Sequence, residues 1–407
     1  MIEVEEALER ILSRVAVLGP ERVSLGDAQG RVLAERIESG LDIPPWPNSS
    51  MDGYAVRSAD LARASAGAPA VLKVTGRVPA GVLPERAVGA GEAFRIFTGA
   101  PLPHGADAVV PQEDVRADGD RVELAAPVQV GAYVRPRGED IRAGDAVLEP
   151  GRVLGAPEIG VLATLGRHQV LVVRRPVVGV LSTGDEIVDL GGSLGPGQIP
   201  NSNTYSLMAQ VRESGGEPRN LGVAGDRLED IESRLRWGLG ADLLLSSAGV
   251  SVGDHDFVKA ALQRLGAEQH LWLVNMRPGK PLTFATLPGA GKAPLPLFGL
   301  PGNPVSAMVT FELFVRPALR RMAGFEGAGR RRITARALAP IDNPGRRRGY
   351  LRVEIARVNG GYGARLTGEQ GSGILRSMVA ADGLAVVAGD TTVLAGGSVE
   401  VILLRDV

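Results

Sequence analysis

The 407-residue sequence contains no cysteine, which excludes disulfides and thiolate-bound zinc, and its four scattered histidines argue against a transition-metal centre built by the protein. Any metal held by such a chain is a hard, oxygen-ligated ion, Mg²⁺ first. An excess of one charge is also missing: 45 Lys and Arg face 46 Asp and Glu, a net charge of -1, so no nucleic-acid surface is implied. No apolar run approaches the ~20 residues of a bilayer span, so no membrane segment is expected. The opening MIEVEEALERILSRVAVL carries acids at once and apolar residues at helical spacing, unlike an export signal, and a cytoplasmic location is the expectation. Aromatics are only 4% of the chain, whereas 55 glycines and 28 prolines mark a loop-rich protein whose backbone can approach small ligands closely.

What is present divides into blocks, since a chain of this length exceeds one ordinary core. Residues 3–18 predict an amphipathic helix with Val4, Leu8, Ile11, Leu12 and Val15 on one face. VSLGDAQGRVLAERI then suggests a strand, a turn and a second short helix. LDIPPWPNSSMDGYAV, taken alone, reads as a turn, with Pro44, Pro45 and Pro47 fixing its entry and Asp52 exposed. Short β-type runs separated by Gly and Pro fill 71–134 and predict a small inserted β domain, in which Thr98 and Gly99 end one strand. YVRPRGEDIRAGDAVLEPG, with Arg135, Arg137, Asp140 and Asp145, reads as solvated ion-pair surface. Residues 156–165 predict a helix stopped by Gly166.

From Arg174 strands alternate with helices, which predicts a parallel, doubly wound α/β sheet. VVGVLSTGDEIV, LGVAGDRLEDIESRL and LLLSSAGVSVGDHD are three strand–loop–acid units; Asn201 or Ser202 caps one helix, and Asp226 with Glu229 suggests a capping box on another. Open α/β sheets bind ligands at the carboxyl ends of their strands, where these loops fall. Ser182, Thr183, Ser246, Ser247 and Ser251 offer hydroxyls, and the glycines, including Gly184, Gly249, Gly253, Gly279 and Gly302, open backbone N–H groups. Helix N-termini near Asn201 and Asn303 favour anions. Asp185, Glu186, Asp226, Asp254 and Asp256 would repel a phosphate unless a divalent cation lay between them, while Arg277 and Lys280, flanking Pro278, neutralise what remains. Neither a GxSxG elbow nor a Walker A sequence occurs, so the pattern points to Mg²⁺-assisted chemistry at phosphorus. Beyond residue 324 short, evenly spaced strands suggest a small β sheet or barrel.

The motifs PNSSMDGYAV, FTGAPLPHGADAVVPQED, RGEDIRAGD, GVLSTGDEIV, GQIPNSNTYSL, SSAGVSVGDHDF, RPGKPLTF, GLPGNPVSA and EQGSGILRSM, in that order, make the chain resemble the MoeA family of molybdopterin molybdenumtransferases, relatives of the gephyrin E domain. The resemblance implies a multidomain α/β plus β protein: an elongated N-terminal α+β domain (1–45 with 136–173), an inserted β domain (46–135), a molybdopterin-binding doubly wound α/β domain (174–324) and a C-terminal β-barrel (325–407). It also implies a homodimer in which Asp52 and Thr98 of one subunit reach the α/β cleft of the other. By the same resemblance, Asp52, Thr98, Asp140, Glu186, Asp226 and Asp256 carry the reaction, with Glu186, Asp226 and Asp256 on Mg²⁺. Substrate contacts fall on Ser182, Thr183, Gly184, Asp185, Asn201, Ser247, Gly249, Ser251, Gly253, Arg277, Pro278, Gly279, Lys280, Pro301, Gly302, Asn303 and Ser372. The implied reaction is hydrolysis of adenylylated molybdopterin with insertion of molybdate, releasing AMP and molybdenum cofactor. Implied further partners are the molybdopterin adenylyltransferase and apo-molybdoenzymes. Arg277 and Leu273 stand where lysine is common in the family. The rival readings are a molybdopterin adenylyltransferase, against which the long N-terminal and C-terminal regions weigh, and a non-catalytic scaffold like gephyrin.

Overall fold

The computed structural model describes residues 1–248, 257–288, 294–327, 329–358 and 360–407. They form two compact units, one of 1–34, 151–155 and 169–407, the other of 35–150 and 156–168.

The first unit is built on a six-stranded sheet ordered Glu217–Ala224, Val177–Thr183, Leu243–Ser247, Leu295–Leu300, Pro281–Leu287, Glu268–Leu273. The first four strands are parallel. The last two add antiparallel, a departure from the expected parallel sheet, because LWLVNMRPGKPLTF turns back on itself after Leu273 and makes a hairpin. The run Leu243, Leu244, Leu245 illustrates why parallel strands read as continuous apolar sequence: side chains alternate between faces, and both faces are covered. Leu243 and Leu245 pack with Leu207, Val211 and Phe314 on one side. Leu244 packs with Ile231, Leu235 and Leu262 on the other.

Helix starts follow local chemistry in part. Asn201 caps Ser202–Glu213 by accepting the Thr204 N–H. The expected Asp226/Glu229 capping box does not form: the helix runs Leu228–Trp237 after Arg227, with no side-chain cap. Instead the Asp226 N–H is held by Asp185. The N-terminal helix is Val4–Leu12, shorter than expected, because Leu18 N–H bonds Met322 O and draws the following residues out along the core. No second short α-helix follows it; Leu25–Asp27 is one 3₁₀ turn capped by Ser24, and Val32 and Leu33 are committed to bridges with Val153 and Val172.

The same unit ends in a closed β-barrel. Arg348–Val358 pairs with Gly361–Leu366, which pairs with Arg332–Ala337, then Ser398–Leu403, then Gly383–Val387, which returns to Arg348–Val358. Closure leaves no open edge among these strands, and Ile333, Leu351, Val353, Ala385 and Val401 fill the interior.

The second unit holds a six-stranded sheet ordered Ala108–Pro111, Gly53–Val56, Glu92–Ile96, Ala70–Val78, Arg121–Leu124, Val115–Asp118. The stretch read as a turn thus contributes an inner strand at GYAV, where Gly53 is required because a Cβ would collide with the Val110 carbonyl. The helix Ala156–Thr164 ends at Gly166 (φ 69°), as predicted. No described helix is long and apolar enough to cross a membrane.

Candidate active site

Three adjacent strands of the α/β sheet end together, and their loops carry the predicted residues. Ser182 and Thr183 close Val177–Thr183, both buried. The Ser182 hydroxyl is already engaged: its Oγ lies 2.8 Å from Thr204 Oγ1 and 3.2 Å from Asn201 Oδ1. Thr183 Oγ1, by contrast, is buried without a partner among the described residues. Gly184 sits at φ 136° with the Glu186 carboxylate folded back over it, so that any Cβ there would run into that carboxylate.

Two carboxylates then organise the neighbouring loop. Asp185 Oδ1 accepts the Asp226 N–H at 3.0 Å, and Asp230 Oδ2 accepts the Gly225 N–H at 2.8 Å. These two backbone donors are consumed inside the protein. Their effect is to fix the loop that carries the exposed Asp226 beside the loop that carries the exposed Glu186. Among the described residues no group of three or more acids and histidines converges as a metal cluster. Asp256, the third predicted metal ligand, lies outside the described residues, as do Gly249, Ser251, Gly253, Asp254 and His255.

Two cavities open at these strand ends. One, of about 600 Å³, is lined by Ser182, Thr183, Glu186, Asn201, Asn203 and Ser247, with Ile187, Ile199 and Pro200 as its apolar part. The other, of about 660 Å³, is lined by Arg277, Pro278, Gly279, Lys280, Arg347 and Ser372. Ala248, Gly302 and Asn303 line both, so the two share a wall, and Pro301 borders the second. The segment around Ser372 is brought in by the barrel, with Val305 N–H donating to Ser372 O.

The second cavity is cationic and has no acid among its described lining residues. Gly279, at φ 100°, lets the RPGK turn lie so close to the helix Pro304–Thr310 that a Cβ would stand 2.5 Å from Thr310 Oγ1. Arg347 Nη1 donates to Met276 O at 2.9 Å and pins the base of that turn. Behind the wall, fully buried Arg352 donates from Nε to Ser377 Oγ and from Nη2 to Gly371 O, each 3.0 Å, while Nη1 has no partner among the described residues. Burial, and then the Arg277 guanidinium beside it, pulls Arg352 down to about 10. Neither Arg347 nor Arg352 was singled out from sequence. From sequence YLRVEIARV reads only as a short strand, and the barrel strand's pairing against the Met276–Arg277 turn brings these two arginines to the site.

In the other unit, Asp52 and Thr98 are brought together: Asp52 Oδ1 accepts the Thr98 N–H and the Thr98 hydroxyl, each at 2.8 Å. Those two donors, the main-chain one first, hold the Asp52 carboxyl below its ordinary range. Asp140 is exposed, its N–H bonded to Ile43 O, and no bond links it to Asp52 or Thr98.

A doubly wound α/β domain with cavities at the carboxyl ends of its strands, joined to a β-barrel, has the architecture of a ligand-binding protein. Residues 179–321 match the family described as "Probable molybdopterin binding domain". Residues 2–166 match "MoeA N-terminal region (domain I and II)", and 334–404 match "MoeA C-terminal region (domain IV)". A curated protein of Nostoc sp. named molybdopterin molybdenumtransferase is 40% identical over 389 residues, spanning 94% of this chain and 88% of that one. Molybdopterin molybdenumtransferase 2 of Mycobacterium tuberculosis is 35% identical over 404 residues, 98% of each chain. A solved structure described as a molybdopterin biosynthesis moea protein from Pyrococcus horikosii superposes with a TM-score of 0.83 at 34% identity, covering 100% of both chains. The chain belongs to the MoeA family of molybdopterin molybdenumtransferases.

Proposed function

We propose that this enzyme inserts molybdenum into molybdopterin by Mg²⁺-dependent hydrolysis of the adenylylated form, taking molybdate as substrate and releasing AMP and molybdenum cofactor. The observation that carries this reading is the pairing of a cationic cavity, with no acid among its described lining residues, and a neighbouring cavity lined by Glu186, the two sharing Ala248, Gly302 and Asn303. Arg277 and Lys280, with Arg347, hold the phosphate or molybdate oxyanion by charge and by N–H donation. Pro278 and Gly279 shape that turn, and Pro301, Gly302, Asn303 and Ser372 complete the wall against the substrate.

Carboxylate oxygens are the donors a hard cation takes. Glu186 and Asp226 present carboxylate oxygens from loops that Asp185 holds together, and Asp256 is assigned to the same ion. Mg²⁺ bound there supplies charge neutralisation at the anhydride. With no cysteine in the chain, the soft sulfur ligands for molybdenum come from the substrate's dithiolene, and the protein's part is to orient the oxyanions. The reading extends to a cytoplasmic homodimer in which Asp52, Thr98 and Asp140 join the α/β cleft of the opposite subunit. It retains the four-domain division at 45, 135, 173 and 324, and includes hand-over partners of the adenylyltransferase and apo-molybdoenzyme kind.

Molybdate-dependent release of AMP from adenylylated molybdopterin is the direct test. Glu186→Gln and Asp256→Asn are expected to abolish it at limiting Mg²⁺; undiminished release in both variants would refute the metal assignment. Sedimentation of the purified chain checks the dimer.

A further inference from the structure

The smaller cavity is lined by two residues that each carry a polar atom the fold leaves unanswered. Asn203 donates from Nδ2 to Ser247 Oγ and to Gly302 O, both at 2.7 Å. A carbonyl oxygen can only accept, so the amide cannot be turned round: the nitrogen must face Gly302 and the oxygen must face away. That Oδ1 is buried and has no partner among the described residues. Thr183 Oγ1 is in the same condition on a residue only 1% exposed. Both residues line the cavity of about 600 Å³. Their neighbours differ, because Ser182, Asn201 and Thr204 satisfy one another. Buried acceptors without partners are rare in folded proteins and costly, and such an atom on a residue that lines a cavity is a candidate acceptor for a ligand donor.

We propose that Asn203, assisted by Thr183, is the specificity-determining residue for the heterocycle of the substrate, its Oδ1 accepting an N–H from an exocyclic amino group on the ring edge. This rests on the function proposed above. The cavity suits such a ring: Ile187, Ile199 and Pro200 give apolar surface for a flat face, and the cations that would take phosphate or molybdate lie in the other cavity. Adenylylated molybdopterin carries the required chemistry twice, as the 2-amino group of the pterin and the 6-amino group of adenine. One subsite reading amino against oxo also supplies discrimination, since a site built around a hydrogen bond rejects the analogue that lacks the donor.

The test uses the full-length protein and two ligand pairs: pterin against lumazine, which has oxygen in place of the 2-amino group, and AMP against inosine monophosphate. Dissociation constants are measured by calorimetry for the unmodified chain, Asn203→Ala and Thr183→Val. The unmodified protein is expected to prefer one amino-bearing ligand by about tenfold, the worth of one hydrogen bond. Preference within the pterin pair assigns the subsite to the pterin; preference within the nucleotide pair assigns it to adenine. Asn203→Ala should abolish the preference, a ratio that loss of its internal bonds alone would not alter. Thr183→Val, which gives up no side-chain hydrogen bond among the described residues, should weaken the preferred ligand with no drop in melting temperature. Equal binding within both pairs, or a preference that survives Asn203→Ala, would overturn the proposal and leave an ordered water as the partner of these atoms. Molybdate-dependent AMP release on the same preparation separates the two readings: no release with the preference intact sinks the reaction alone, and release without preference sinks the subsite alone.

Discussion

Replacing Arg352 by methionine tests whether the cationic cavity stores strain that its ligand relieves. Arg352 is fully buried, has no carboxylate partner among the described residues and is pulled down to about 10, mainly by loss of solvent and then by Arg277. Relative to an ordinary guanidinium, that depression corresponds to about 3 kcal/mol spent on keeping the charge in place. The penalty is present at every pH below the folded value and is relieved only as pH rises through about 10, so it contributes no pH dependence between 6 and 9. Methionine keeps much of the stem's volume and removes the charge, at the expense of the bonds to Ser377 Oγ and Gly371 O, about 1.5–3 kcal/mol each. The two effects largely offset. Urea denaturation without ligand should therefore show a loss of no more than about 3 kcal/mol, less than the 3–5 kcal/mol typical of breaking a buried ion pair. Saturating molybdate at about 100 Kd should stabilise the unmodified protein by about 2.7 kcal/mol and the variant by much less. An undiminished molybdate effect in Arg352→Met, or a ligand-free loss well beyond 3 kcal/mol, would show that Arg352 is a structural clamp and refute the reasoning.

Other perturbations follow from single contacts. Glu312 is buried in the π-helical turn Phe311–Val315 and accepts from Gln210 and Arg330, so Glu312→Ala should cost about 3 kcal/mol in urea denaturation by breaking the buried pair and leaving Arg330 with the exposed Glu213 as its remaining described carboxylate. Gly184→Ala, at φ 136° and against the Glu186 carboxylate, should sharply reduce AMP release while costing about 1–3 kcal/mol of stability, as a melting curve would show. Asp52 should titrate below an ordinary carboxylate in carboxyl-carbon NMR, and Thr98→Val should raise its midpoint. Because its folded value is depressed, whatever Asp52 adds to stability is present above the ordinary carboxylate range and is lost as pH falls through the folded value.

The sequence was most legible where chemistry is local. STGDE announced a loop at a strand end and NSN a helix start, and Asn201 caps that helix as its type and position predict. It was less legible where a local rule competes with a distant partner. Asp226 had the sequence context of a capping residue, yet the helix starts beyond it, because Asp185, 41 residues away, already holds its N–H. Ser182 looked like a free hydroxyl donor, but Thr204 and Asn201 engage it across the same helix start. The edge hairpin was read as parallel because an apolar run states burial and not direction.

By itself the sequence determined most element types of the α/β domain, the absence of any thiolate chemistry and the acids, hydroxyls and cations available to a phosphate-bearing ligand. These depend on composition and on periods of two and 3.6 residues, which a linear chain records directly. Tertiary structure alone decided which groups remain free. Barrel closure set Arg347 and Arg352 against the Arg277 turn, while hydrogen bonds across the strand ends satisfied Ser182 and left Thr183 Oγ1 and Asn203 Oδ1 open. Whether a polar atom is spent or available depends on every neighbour within about 3 Å, and those neighbours are assembled by packing between segments far apart in the chain.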